Sequence, residues 1–150
     1  MKILFKLGWV KGNALPKVFK MEAAYALLKE CLERTAKFTS VSLLGMDASW
    51  RKAAGDKLWF CHTSKNSKEL SSEELAKIIN QLQNSGTRQL HIAVGGPNGF
   101  TPQDIEKWAP DFLWCFGRLT LPHELATVVA AEQIYRAYTI IHHHPYHSGH

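Results

Sequence analysis

The chain is predicted to be an α/β protein with a mostly parallel sheet covered by helices on both faces. Three observations carry this. Short apolar runs, "MKILFKL", "FTSVSLL", "KLWFCH", "RQLHIAV" and "FLWCF", recur along the chain and have the length and composition of buried strands. Segments with helical periodicity fall between most of them, and strand–helix alternation is the signature of parallel pairing. No internal repeat or low-complexity tract interrupts the alternation, so residues 1–150 read as a single domain.

In chain order, the "MKILFKL" strand leads through a loop to a helix starting at about Pro16, with Ala24, Leu28, Cys31 and Leu32 on its apolar face. The strands "FTSVSLL" and "KLWFCH" follow. Ser71 and Glu74 have capping-box spacing at the head of "SSEELAKIINQLQNSG", where Leu75, Ile78, Ile79 and Leu82 repeat at helical intervals and Gly86 ends the helix. The strand "RQLHIAV" runs into the turn "GGPNG". Thr101 then caps a short helix with Pro102 at its first position, ended by Pro110. "FLWCF" is a strand, "GRLTL" a loop, and the last helix spans about Pro122 to Ile140, ahead of the tail "HHHPYHSGH".

With 45% hydrophobic and 21% charged residues, the chain can bury a sizeable core. No apolar stretch approaches the ~20 residues needed to cross a membrane, and the start lacks an apolar core followed by a cleavage site, so the expected location is cytoplasmic. Cys31, Cys61 and Cys115 are odd in number and lack CxxC spacing. They are expected to be buried thiols, not disulfides or zinc ligands. Residues 1–20 carry Lys2, Lys6, Lys11, Lys17 and Lys20 and no acid, whereas the remainder is balanced. A local basic excess suits a polyanion such as RNA, although lysines also populate any solvated face.

In a parallel sheet, ligands sit beyond the carboxyl ends of the strands, where "GGPNG" and "GRLTLPH" both fall. The glycine turn is neither GxGxxG nor a Walker motif, which weakens dinucleotide and nucleoside-triphosphate readings. Trp59, Trp108 and Trp114 are not interleaved with basic residues and are read as core. Glu132 is placed to pair with Arg136 four residues on. Five of the eight histidines lie in residues 142–150, which suits a metal site or a tag remnant, but Pro145-Tyr146-His147 continues the pattern of a known family, so the tail is read as native and no metal is expected.

"GGPNG", "LTLPHELATVVAAEQIYRAYTI" and "HPYH", in that order, resemble the ribosomal large-subunit RNA methyltransferase H family of the SPOUT superfamily. The resemblance is strong over 90–147, moderate at "SSEELA" and only in outline over the first sixty residues. It implies a C-terminal trefoil knot, a homodimer with the active site at the subunit interface, and methylation of N3 of a pseudouridine in 23S rRNA or the ribosome with S-adenosyl-L-methionine as donor. It implies that Gly95, Gly96 and the loop Phe116, Gly117, Arg118, Leu119, Thr120 and Leu121 wrap the cofactor, with Thr63 closing a third side. Arg136 would bind RNA phosphate or stabilise charge developing on the base, and Tyr146 and His147 would line the nucleotide pocket. His123 reads equally as a catalytic group or as a structural hydrogen-bonding residue of the first helical turn. Leu125, Val128, Val129 and Ile134 are expected to serve both the sheet and the dimer contact.

Departures from the family pattern are confined to particular positions. Between the second and third strands, "GMDASWRKAAGD" is shorter than the helix-containing segment usual there. Thr63, Ser64 and Ser67 replace the usual leucine, acid and glycine before Lys68, and Thr127 and Ser148 stand where arginines are usual. Lost arginines weaken the RNA side more than a cofactor site built largely from backbone. The alternatives are therefore a SPOUT-fold protein that binds RNA or cofactor without turnover, and a methyltransferase with another RNA target.

Overall fold

The computed structural model describes residues 1–11 and 16–149. Along the chain run β1 (Lys2–Leu7), a 3-10 turn (Pro16–Val18), α1 (Glu22–Thr35), β2 (Val41–Gly45), β3 (Lys57–Cys61), β4 (Lys68–Glu69), α2 (Ser72–Asn84), β5 (Gln89–Val94), α3 (Pro102–Trp108), β6 (Phe112–Cys115), α4 (His123–Ile141) and a closing 3-10 turn (His147–Gly149). The strands form one sheet in the order β2-β1-β5-β3-β6-β4, and every pairing is parallel. All carboxyl ends therefore lie at the same edge.

Alternation along the strands divides the core in two. Ile3, Phe5, Leu7, Trp59, Leu90, Ile92 and Trp114 pack in one cluster with residues of α1, α2 and α4. Leu58, Phe60 and Ala93 face the other way, against Phe100, Ile105 and Trp108. The expected α/β sheet with helices on both faces is thus present, and α4, between α1 and α2, is its most deeply covered helix. The capping box of Ser71 with Glu74 forms, and the expected cap Thr101, ahead of Pro102, proves to be a second such box with Asp104. The α3 helix stops where Ala109 turns left-handed (φ 45°) before Pro110, whose ring disfavours a helical residue in front of it.

Several expectations need correction. The helix expected from Pro16 begins at Glu22, after a single 3-10 turn. Met21 offers no side-chain cap; instead, the Lys20 and Met21 backbone N–H groups donate to the carboxylate of Glu124, about a hundred residues away. The second strand starts at Val41, because Phe38 and Thr39 still close a turn on Thr35. The two-residue edge strand β4 had no periodicity to announce it.

Of the four residues assigned to both sheet and dimer, Val128 and Ile134 are buried in the core, and only Leu125 and Val129 keep part of their surface exposed. Lys6 does not belong to the basic surface: it is 6% exposed, with its ammonium over the Trp50 ring at 4.4 Å, and burial holds its pKa below the ordinary lysine value. Cys115 is buried, but Cys31 and Cys61 are only half-buried. Trp59 and Trp114 are core residues as expected, whereas Trp108 is half-buried and donates its indole N–H to the Trp50 carbonyl at 2.9 Å.

Candidate functional site

A cavity of about 720 Å³ opens at the carboxyl ends of β3, β5 and β6. Three loops and the head of α4 line it: His62 and Thr63 after β3, Gly95 to Phe100 after β5, Phe116 and Leu119 to Pro122 after β6, and His123 with Ala126. Gly117 and Arg118 belong to the same loop but do not line the cavity, and the Leu119 side chain is 78% exposed. Inside the loop region, the Cys115 thiol donates to the Gly117 carbonyl at 3.0 Å and lies 3.7 Å from the Thr63 hydroxyl. Gly117 adopts φ +107°, a conformation that favours glycine. Burial lowers the pKa of His62 and raises that of the Cys61 thiol, so neither is charged near neutral pH.

The glycines of "GGPNG" serve the turn itself. A Cβ on Gly95 would lie 2.7 Å from the carbonyl carbon and 2.9 Å from the Cα of Gly99. One on Gly96 would lie 3.2 Å from the Trp9 Cβ. The turn is closed by the Gly99 N–H donating to the Gly96 carbonyl at 2.8 Å. These glycines let the chain fold on itself tightly enough to form a cavity wall.

His123 lies at the cavity's edge, its ring 4.4 Å from Trp9 in an edge-on contact and its Nε2 3.7 Å from the Glu124 carboxylate. Its backbone carbonyl accepts from the Thr127 hydroxyl, which is fully buried. The other three proposed catalytic residues gather elsewhere. Arg136 donates to the Glu132 carboxylate at 2.7 and 3.1 Å, lies over the Tyr146 ring at 4.8 Å, and contacts His147 Nδ1 at 3.1 Å. The Tyr146 hydroxyl donates to the same Glu132 oxygen at 2.9 Å, and burial together with that bond raises its pKa, keeping it a proton donor. His147 reaches the Glu73 carboxylate in the first turn of α2 at 2.7 Å. His123 and Arg136 are thirteen residue steps apart, about 20 Å along α4 at ~1.5 Å per residue. Within one chain, then, Arg136, Tyr146 and His147 do not line the cavity that His123 touches.

Residues 46–147 match the family described as "Predicted SPOUT methyltransferase". The chain belongs to the SPOUT methyltransferase family. Among its relatives, a ribosomal RNA large subunit methyltransferase H from Beijerinckia indica is 44% identical over 80 residues, which cover 53% of this chain and 49% of the relative. The protein of that name from Brucella ovis is 44% identical over 80 residues, covering 53% and 46%. The chain thus matches about half the length of these curated relatives. A solved structure described as a hypothetical protein aligns over 93% of this chain and 68% of its own at 16% identity, with a TM-score of 0.46.

As a SPOUT methyltransferase family member, the chain has two features that reasoning from sequence did not anticipate. Glu124, 3% exposed and engaged with backbone N–H groups of the N-terminal segment, followed His123 without any spacing signal to mark it. Glu132 was legible as the intrahelical partner of Arg136, but not as the shared acceptor for Arg136, Tyr146 and Gln133. The contact with Tyr146 depends on the tail folding back along α4. Among the described residues, no three potential metal ligands cluster, and no helix is long and apolar enough to cross a membrane.

Proposed function

We propose that this chain is a cytoplasmic, S-adenosyl-L-methionine-dependent methyltransferase acting on 23S rRNA of the large ribosomal subunit, at N3 of a pseudouridine, as a single SPOUT domain over residues 1–150 with a C-terminal trefoil knot. The observation that carries the reading is the cavity formed jointly by the "GGPNG" turn and the 116–122 loop, the two segments that also carry the family resemblance. The names of the relatives give the rRNA substrate its support.

The cavity suits the cofactor in size and chemistry. Pockets for ligands of this class run from about 300 to 1,000 Å³. Its walls include Trp114, Phe116 and Leu121, suited to a flat heterocycle, while the peptide groups of two loops supply donors and acceptors without a lining carboxylate. Gly95, Gly96, Thr63 and the 116–121 loop would hold the cofactor, which supplies an electrophilic methyl group when bound. Transfer is an in-line displacement, so the protein's main work is to align nucleophile and donor and to exclude water. The N3 proton must leave the base, and a cation near the ring stabilises the charge that develops there.

Arg136 is the cation we assign to that role, with Tyr146 and His147 beside the nucleotide. Since these three lie a helix length from the cavity of their own chain, the reading requires a symmetric homodimer in which each copy lends its C-terminal cluster to the other's cavity. His123 would then touch the bound ligands from the cavity's own chain.

The test is incubation with radiolabelled S-adenosylmethionine and ribosomes, their subunits or free rRNA from cells lacking the native enzyme. Label recovered in 23S rRNA at the pseudouridine is the expected outcome. Cofactor binding with no label in any RNA would instead establish a SPOUT protein without turnover, and label in another RNA a different target.

A further inference from the structure

We propose that Glu124 is a positioning residue: its buried carboxylate fastens the lysine-bearing segment 17–20 to the mouth of the cavity, so that Lys17 and Lys20 form a phosphate-binding rim. The proposal rests on the rRNA reading above.

The carboxylate occupies an unusual place. Its side chain is 4% exposed, no lysine or arginine pairs with it among the described residues, and His123 Nε2 approaches it at 3.7 Å. Burying a carboxylate is costly unless its oxygens are bonded, and here both oxygens accept main-chain donors from a distant segment: Met21 N–H at 2.8 Å and Lys20 N–H at 3.2 Å. The first turn of α4 also favours a negative charge through its exposed N–H groups. The acid thus acts from one helix as the missing cap of another, α1, whose own N-cap Met21 supplies none.

The same segment is joined to the cavity through ring contacts. Trp9 donates its indole N–H to the Val18 carbonyl at 3.3 Å and packs edge-on against Phe19 at 5.7 Å and against the cavity-lining His123 at 4.4 Å. The Trp9 Cβ also abuts Gly96 of the cavity wall. Segment 17–20, Trp9, His123 and the glycine turn therefore form one continuous packed unit, with Glu124 as its hydrogen-bonded joint. Lys17 and Lys20 remain exposed and form no ion pair among the described residues, and Arg118 is exposed on the neighbouring 116–121 loop. Lys17 and Lys20 on this packed unit and Arg118 on the cavity's own loop, all without ion-pair partners among the described residues, fit a polyanion's backbone. A role for Glu124 confined to stabilising α1 would not depend on those charges.

Full-length Glu124→Ala and Glu124→Gln are compared with the unmodified chain and with a Lys17→Ala/Lys20→Ala double variant, using a transcribed 23S rRNA fragment at graded salt, S-adenosylmethionine calorimetry, and amide exchange at Lys20 and Met21. The isosteric Gln variant preserves the comparison should the Ala variant not fold. Expected are about tenfold faster exchange at the two amides, weaker RNA binding, and a log–log salt slope shallower by up to roughly 1.4, about 0.7 for each single-strand phosphate that a lysine no longer neutralises. Cofactor affinity should be unchanged, and combining Glu124→Ala with the lysine changes should weaken RNA binding no further. Faster exchange with an unaltered salt slope would overturn the proposal, as would fully additive effects, leaving Glu124 a cap for α1. Failure of the unmodified chain to bind the RNA at any salt would instead overturn the rRNA reading, and the rim with it.

Discussion

Replacing Gly95 by alanine tests the cavity wall most directly. The added Cβ would sit 2.7 Å from the carbonyl carbon and 2.9 Å from the Cα of Gly99, whereas carbon pairs rest at about 3.5–4.0 Å. Both obstructing atoms are backbone, so no rotamer change relieves the overlap, and the turn closed by the Gly99–Gly96 hydrogen bond must open by roughly 1 Å. Overpacking of this kind costs about 1–3 kcal/mol, and for a domain of this size each kcal/mol moves the melting temperature by about 2–4 °C. Gly86→Ala is the control: it lies outside the cavity lining, its Cβ would meet open space, and only the positive φ of +85° penalises it, by about 1–2 kcal/mol. The assay is thermal unfolding with and without S-adenosylmethionine at about a hundred times its Kd, which stabilises a folded binder by about 2.7 kcal/mol, or roughly 5–10 °C here. Gly95→Ala should melt earlier and lose most of the ligand-induced shift, whereas Gly86→Ala should melt earlier and keep it. A Gly95→Ala protein with an unchanged melting temperature and the full ligand shift would refute both the tightness of the turn and its place in the cavity wall.

Other outcomes follow from the same geometry. Arg136→Ala should lower the single-turnover rate on rRNA by about 10²–10³-fold while changing RNA affinity much less, and an unchanged rate would return Arg136 to a structural partnership with Glu132. Sedimentation at micromolar protein should show about twice the 16.9 kDa chain mass, with Val129→Asp shifting it to the monomer; a purely monomeric unmodified protein would remove the shared active site. Ile134→Ala, by contrast, should act on the core, at a cost of about 2–5 kcal/mol in the stability measured by urea unfolding. Burial lowers the pKa of His91 below the ordinary 6.5 despite its bond to Asp56, with Lys6 and Lys52 also disfavouring its protonation, so the unfolded chain binds more protons below that pH. Stability should therefore fall as the pH drops below about 6.5 toward the folded-state value, and the fall should be smaller in His91→Gln; equal pH dependence of the two proteins would contradict the assignment.

The sequence by itself determined most of the element order, the parallel sheet with helices on both faces, the capping box at Ser71, the cap at Thr101 and the segments that meet in the cavity. These depend on local periodicity, cap chemistry and the rule that parallel strands present their loops at one end. Tertiary structure decided what local pattern does not encode. The start of α1 is set by Glu124 from across the chain, and the burial of Lys6 by Trp50 lying over it. Val128 and Leu125 share an apolar character and one helix, yet the packing of α4 between its neighbours buries the first and leaves the second part-exposed. The glycine turn was legible as a turn, but the approach of Gly99 to Gly95 that requires glycine there was not. The C-terminal residues were legible as a group through the resemblance, but their separation from the cavity was not, because a helix of fixed rise, packed between α1 and α2, keeps its two ends apart however close their motifs stand in sequence.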